Sequence, residues 1–128
     1  MNGLHFTADL SGVEPTLALM RDSDALATLC RDAVVASGLS GVAELFHRFG
    51  PADEQNGITG VVLLAESHLA IHTWPELGGV TLDVYVCNYG ADNSAKAESL
   101  MATLIAAFAP TSVNRQSLSR AAASTPAV

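Results

Sequence analysis

Several protein classes depend on material that this 128-residue sequence largely lacks. It has two cysteines, Cys30 and Cys87, too few for a disulfide framework and without the paired spacing of a zinc site. Cys30 falls within a helical pattern and reads as a small buried residue. Basic residues are also scarce: six Lys and Arg stand against thirteen Asp and Glu, for a net charge of −7. Binding to a phosphate backbone calls for basic stripes, so no nucleic-acid partner is expected. No apolar run approaches the roughly twenty residues needed to cross a bilayer, so no membrane partner is expected. The N-terminus lacks the basic-then-apolar order of a secretory leader, which gives a cytoplasmic location as the expectation. What remains is a chain with 49% apolar residues, enough for the core of one globular domain.

Periodicity divides that domain into strands and two helices. His5 to Leu10 alternates as a first strand, and Asp24 or Ser23 is placed to cap a helix running to about Ser37. Leu26, Leu29, Cys30, Ala33 and Val34 form the apolar face of that helix. A second strand is read at Ala43 to Phe49, then a polar loop from Gly50 to Gly57. Val61 to Glu66 is an apolar strand with its continuation at His68 to Trp74, and Val80 to Cys87 is the next strand. Ala95 to Phe108 is an alanine-rich helix with Leu100, Leu104 and Phe108 in one stripe. A weaker strand follows at Thr111 to Leu118. A meander of strands between helices predicts an α+β fold: an antiparallel sheet with both helices on one face and a polar opposite face. One domain is expected over residues 1–119, with 120–128 a disordered tail.

Chemistry concentrates in Glu66-Ser67-His68-Leu69-Ala70-Ile71-His72-Thr73-Trp74-Pro75-Glu76. This run sets a hydroxyl, two imidazoles and carboxylates along a short apolar strand, an arrangement that is costly to bury without a use. Alternation puts His68, Ala70, His72 and Trp74 on one face and, on the neighbouring strand, Cys87 on the same polar face. Ser67 has the opposite parity to His72, so cooperation between them requires a bend or bulge near Glu66-Ser67. His68 and His72 are too far apart on a strand for a compact zinc site, and no Gly-x-Ser-x-Gly motif supports a serine hydrolase.

The same run, together with Gly57-Ile58-Thr59-Gly60-Val61-Val62-Leu63-Leu64-Ala65 before it and Asp83-Val84-Tyr85-Val86-Cys87 after it, resembles the prokaryotic S-adenosylmethionine decarboxylase proenzymes. Weaker echoes occur at Gly3-Leu4-His5 and Phe46-His47-Arg48-Phe49. The resemblance implies a self-processing enzyme. Ser67 attacks the Glu66 carbonyl, the chain divides into 1–66 and 67–128, and the former Ser67 becomes a pyruvoyl group that forms a Schiff base with the substrate amine. That group takes the place of pyridoxal phosphate, and no metal is implied. By the same resemblance His72 is the processing base, Cys87 the proton donor, and Thr59 a support for processing where relatives carry serine. Phe49 and Glu76 align with positions near the substrate pocket.

The implied reaction is decarboxylation of S-adenosylmethionine for polyamine (spermidine) synthesis, in a homodimer with sites at the interface. An alternative substrate is a basic amino acid, ornithine or arginine, because the Gly50–Gly57 loop is longer and more acidic than in typical relatives. A further alternative is a chain that never cleaves and partners an active paralogue. Each site residue also has a plain structural reading: Ser67 and Glu76 as turn residues, Cys87 and Phe49 as core, and His68 as a neighbour without a role.

Overall fold

The computed structural model describes residues 2–51, 54 and 56–121. Six strands form one antiparallel sheet, β1 (Asn2–Ser11), β2 (Gly41–Arg48), β3 (Ile58–Leu64), β4 (Ser67–Trp74), β5 (Gly79–Cys87) and β6 (Ser112–Ala121), in the spatial order β2-β3-β4-β5-β1-β6. The helices are α1 (Ala18–Arg21), α2 (Ser23–Ser37) and α3 (Ser94–Phe108), with a 3₁₀ turn at Pro75–Leu77. The first strand therefore lies inside the sheet, between β5 and β6, and two helical crossovers carry the chain to the two edges.

The expected α+β architecture is present, with differences in its parts. A short α1 precedes the two anticipated helices. The cap of α2 is Asp22, whose Oδ1 accepts from the Asp24 and Ala25 amides at 3.0 and 3.3 Å, and neither Ser23 nor Asp24 serves. Gly38 ends α2 at φ 87°, a left-handed geometry that glycine adopts without penalty. The last strand runs to Ala121, so Arg120 pairs with Gly3 and Ala121 with Asn2, where a tail was expected to begin. The remainder of that expected tail lies outside the described residues.

The largest departure concerns the strand read as continuous from Val61 to Trp74. It is a hairpin: Leu64 pairs with Ser67 across a two-residue turn of Ala65 and Glu66. Such tight turns ordinarily announce themselves with Gly or Asn at the positive-φ position, and here Glu66 occupies it at φ 60°. No turn residue marks the site, which is why the pattern reads straight through it.

Helices cover one face of the sheet. Ile58, Val62 and Leu64 from β3, Leu69 and Ile71 from β4, and Val80, Leu82, Val84 and Val86 from β5 bury against Leu26, Cys30, Ala33 and Val34 of α2. Leu100, Met101, Leu104 and Phe108 of α3 complete the core. The opposite face has no cover among the described residues and presents Leu45, Leu63 and Leu118, each substantially exposed.

Candidate active site

Ser67 opens β4 directly after the strained Glu66, and its neighbour across the sheet is the end of β5. The Cys87 amide donates to Ser67 Oγ at 3.0 Å. Two residues twenty apart in sequence are thus brought together by the β4–β5 pairing, which runs from His68–Tyr85 to Trp74–Gly79. The Tyr89 amide donates to Cys87 Sγ at 3.4 Å, and Cys87 is buried. Asn93, at the start of α3, donates from Nδ2 to the Cys87 carbonyl at 2.9 Å and ties the helix to the same strand end. The other thiol differs in kind: burial, with a smaller push from Glu44, raises Cys30 to about 12 and keeps it protonated.

His72 lies at the far end of β4. Its Nδ1 shares a hydrogen bond of 3.0 Å with Thr59 Oγ1, the residue it pairs with on β3. Phe49, Asn56, Thr59, His72, Trp74 and Glu76 line a cavity of about 450 Å³, within the roughly 300–1,000 Å³ usual for small-ligand sites. Beneath it, Thr73 turns inward: its Oγ1 donates to the Met20 carbonyl at 2.9 Å and accepts from the Ile58 amide at 3.0 Å. That anchor joins β4 to α1 and β3 and fixes the strand segment that carries His72 and Trp74. The indole lies 5.9 Å from the His72 ring and is partly exposed.

Two groups of anticipated residues therefore form two half-sites. Glu66, Ser67 and Cys87 meet at one end of β4, and Phe49, Thr59, His72 and Glu76 meet at the other. The bend expected near Glu66-Ser67 is a full hairpin turn before Ser67, and beyond it β4 keeps regular register with β3 from Ser67 to His72. Five residues of straight strand separate them by roughly 17 Å. Within one chain His72 does not reach Ser67.

Trp74 and Asn56 were not singled out from the sequence as pocket residues. Trp74 shares the parity of His72, so alternation alone held the signal; nothing in the sequence marks Asn56. The Gly50–Gly57 loop lies partly outside the described residues. Its described carboxylate, Glu54, accepts from Asn56 Nδ2 at 3.2 Å and does not line the cavity. Among the described residues no cluster of three or more His, Cys, Asp or Glu could hold a metal, and no helix is long and apolar enough to cross a membrane.

His68 sits between the two half-sites on the open face, beside His5 and Tyr85 at ring separations of 6.0 and 5.7 Å. Burial lowers its pKa from the ordinary 6.5; the His5 charge and, more weakly, Arg120 act in the same sense, against Asp83.

Comparison with known proteins places these features in a family. The model of the S-adenosylmethionine decarboxylase family matches residues 4–121. An S-adenosylmethionine decarboxylase proenzyme of Hydrogenobaculum sp. is 40% identical over 92% of this chain and 81% of its own length. One from Picrophilus torridus is 36% identical over 92% and 83%. The crystal structure of the adenosylmethionine decarboxylase from Aquifex aeolicus superposes with a TM-score of 0.83 at 34% identity, covering 98% of this chain and 96% of that one.

Proposed function

The chain belongs to the S-adenosylmethionine decarboxylase family, and on that premise we infer that it is a proenzyme whose Glu66–Ser67 bond is the one that rearranges. The observation that carries this reading is the contact of Ser67 Oγ with the Cys87 amide directly after Glu66 at φ 60°. A non-glycine residue in that region carries backbone strain of roughly 1–3 kcal/mol, and strain on the peptide to be attacked favours its reaction.

Maturation proceeds on the chain's own atoms. Ser67 Oγ adds to the Glu66 carbonyl carbon, the C–N bond breaks, and the nitrogen takes up the proton, leaving an ester. Removal of the Ser67 α-proton expels the Glu66 carboxylate from Cβ; the dehydrated residue tautomerises, and water displaces ammonia. The products are 1–66 and 67–128, the second beginning with a pyruvoyl carbonyl. The residues present fit such a group: it would lie at the head of β4, against the Cys87 backbone amide. The carbonyl supplies the electron sink that decarboxylation of an amino acid requires. Cys87 holds a proton at Sγ for return to the substrate carbon.

The remaining half-site binds and assists. Phe49 and Trp74 offer aromatic faces to an adenine or a sulfonium, Glu76 offers a carboxylate to a hydroxyl or a cation, and Thr59 orients His72. Both half-sites become one if a second copy packs its open face on the first. His72 of one protomer then serves Ser67 of the other, and the exposed Leu45, Leu63 and Leu118 find cover. The substrate is S-adenosylmethionine, and the product supplies aminopropyl groups for polyamine synthesis. The work is that of a cytoplasmic small-molecule enzyme.

Denaturing mass spectrometry tests the reading. Two fragments are expected, the C-terminal one trapping with a carbonyl reagent, and purified protein releases carbon dioxide from S-adenosylmethionine. Ser67→Ala abolishes both cleavage and release. An intact mass near 13.2 kDa in folded, unsubstituted protein overturns it.

A further inference from the structure

Behind the hairpin turn, on the helix side of the sheet, lies a second cavity of about 130 Å³ lined by Gly38, Leu39, Ser40, Leu64, Ala65, Ser67, Asn93 and Lys96. It is separate from the pocket around His72, and nothing in the reading above employs it. Two features set it apart. Its walls include Ala65 and Ser67, the residues on either side of Glu66. It also holds the sequence's one lysine, in a chain with only six basic residues.

The position of Lys96 is built rather than incidental. It stands in the first turn of α3, whose start is held to β5 by the Asn93–Cys87 hydrogen bond. Its side chain runs over Gly38: a Cβ added there would meet Lys96 Cδ, Cε and Nζ at 3.6, 3.5 and 4.0 Å. Those are ordinary contact distances, so the lysine side chain lies packed along the end of α2. Asp92, just before α3, is engaged with the Ser94 amide at 2.9 Å, which holds its carboxyl below the ordinary range; Glu98 on α3 pairs with Arg115 at 2.9 Å, and neither lines the cavity. The first turn of α3 adds the partial positive charge of a helix start.

We propose that Lys96 is a positioning residue for maturation, whose ammonium receives the carboxylate that Glu66 becomes when Ser67 releases it. The inference rests on the self-cleavage proposed above and names the step it governs. In the acyl shift the charge on the Glu66 carbonyl oxygen is transient, and neither the peptide nor the ester carries it. In the elimination, the Cβ–Oγ bond of Ser67 breaks and its electron pair leaves with the oxygen, so Glu66 departs as a new anion. A cation beside that point lowers the barrier to departure and then holds the product. The Ala65 amide donates to the Ser40 carbonyl at 3.3 Å, so the new chain end stays beside the cavity after the cut. A water's share of liquid volume is roughly 30 Å³, so the cavity has room for the carboxylate together with solvent.

The test uses the full-length chain, followed from synthesis by denaturing mass spectrometry with and without brief hydroxylamine at neutral pH, which cleaves esters; a slow cut at the labile Asn56-Gly57 bond gives fragments of different mass. Lys96→Met retains the length of an exposed side chain, and its far-UV dichroism and melting curve should match the unsubstituted protein. Elimination is expected to slow about tenfold or more. Lys96→Met then accumulates a species of intact mass that hydroxylamine splits into a 1–66 hydroxamate and a fragment beginning with an ordinary Ser67. Lys96→Arg restores the pyruvoyl-bearing fragment. The proposal is overturned if Lys96→Met matures at the unsubstituted rate, or if its intact species resists hydroxylamine, which would place the block at the acyl shift. Failure of the unsubstituted chain to divide overturns the self-cleavage itself and the role of Lys96 with it.

Discussion

At the scale of single residues, the contact that does most to define the chemistry is between a hydroxyl and a backbone amide. Ser67 Oγ accepts from the Cys87 backbone amide, so the oxygen proposed to attack Glu66 is held by the backbone of the residue proposed to donate the proton. Cys87→Ala retains that amide. Cleavage is therefore expected to go to completion while turnover falls by about 10²- to 10⁴-fold, the usual worth of a placed general acid. Fragment masses and carbon dioxide release measured on one preparation check both halves of the statement. Thr73 carries a different load. Its hydroxyl satisfies the buried Met20 carbonyl and Ile58 amide, and Thr73→Val keeps the shape while leaving both without that partner. A loss of about 2–3 kcal/mol is expected in urea unfolding with the slope unchanged, measured in the uncleaved Ser67→Ala background so that one intact chain is compared with another.

At the scale of elements, β4 decides where chemistry can happen. It is straight, paired on both sides, and bears His68 at one end and His72 at the other. His68 faces Tyr85 on the neighbouring strand and His5 one strand beyond, with Asp83 and Arg120 on the same face. Because its pKa is lowered in the fold, the unfolded chain binds a proton where the native chain does not. Its contribution is complete above pH 6.5 and is lost as pH falls through 6.5 toward the native value. His68→Gln should flatten the decline of melting temperature over that acidic interval and leave the neutral region unchanged. Equal slopes in both proteins would show that another group sets the decline. The β3–β4 hairpin is the element that sequence reasoning treated as one strand. Its turn lacks every usual signal because Glu66 stands where glycine would be at ease, and that same misfit falls on the bond proposed to break.

At the scale of the whole molecule, one chain supplies two incomplete sites. Ser67 with Cys87, and Thr59 with His72, lie at opposite ends of a regular strand, and the face that carries His72 has no cover among the described residues. The face-to-face dimer proposed above would join them across its interface. Mixed dimers put this directly. Ser67→Ala protein lacks the cleavable residue but keeps His72, whereas His72→Ala keeps Ser67 but lacks the base. Produced together, they should restore cleavage of the His72→Ala chain, about half of it when the two chains mix at random. A Leu63→Glu substitution on the open face should yield monomers in sedimentation and no restoration. If His72→Ala chains stay uncut in verified mixed dimers, the base acts within its own chain or is another residue.

The amino-acid sequence by itself determined the family, the antiparallel sheet and its helix-covered face, and the small set of chemical groups at Ser67, His72 and Cys87. These follow from local alternation, helical periodicity and a motif whose spacing is preserved along the chain. The tertiary structure alone decided the hairpin at Ala65–Glu66, the inward anchor of Thr73, the pocket places of Trp74 and Asn56, and the presence of Lys96 behind that hairpin turn. Each of those depends on which distant backbone a residue meets when strands pair and helices cross. Such pairings are set by the packing of the entire domain and leave no mark in the order of neighbouring residues.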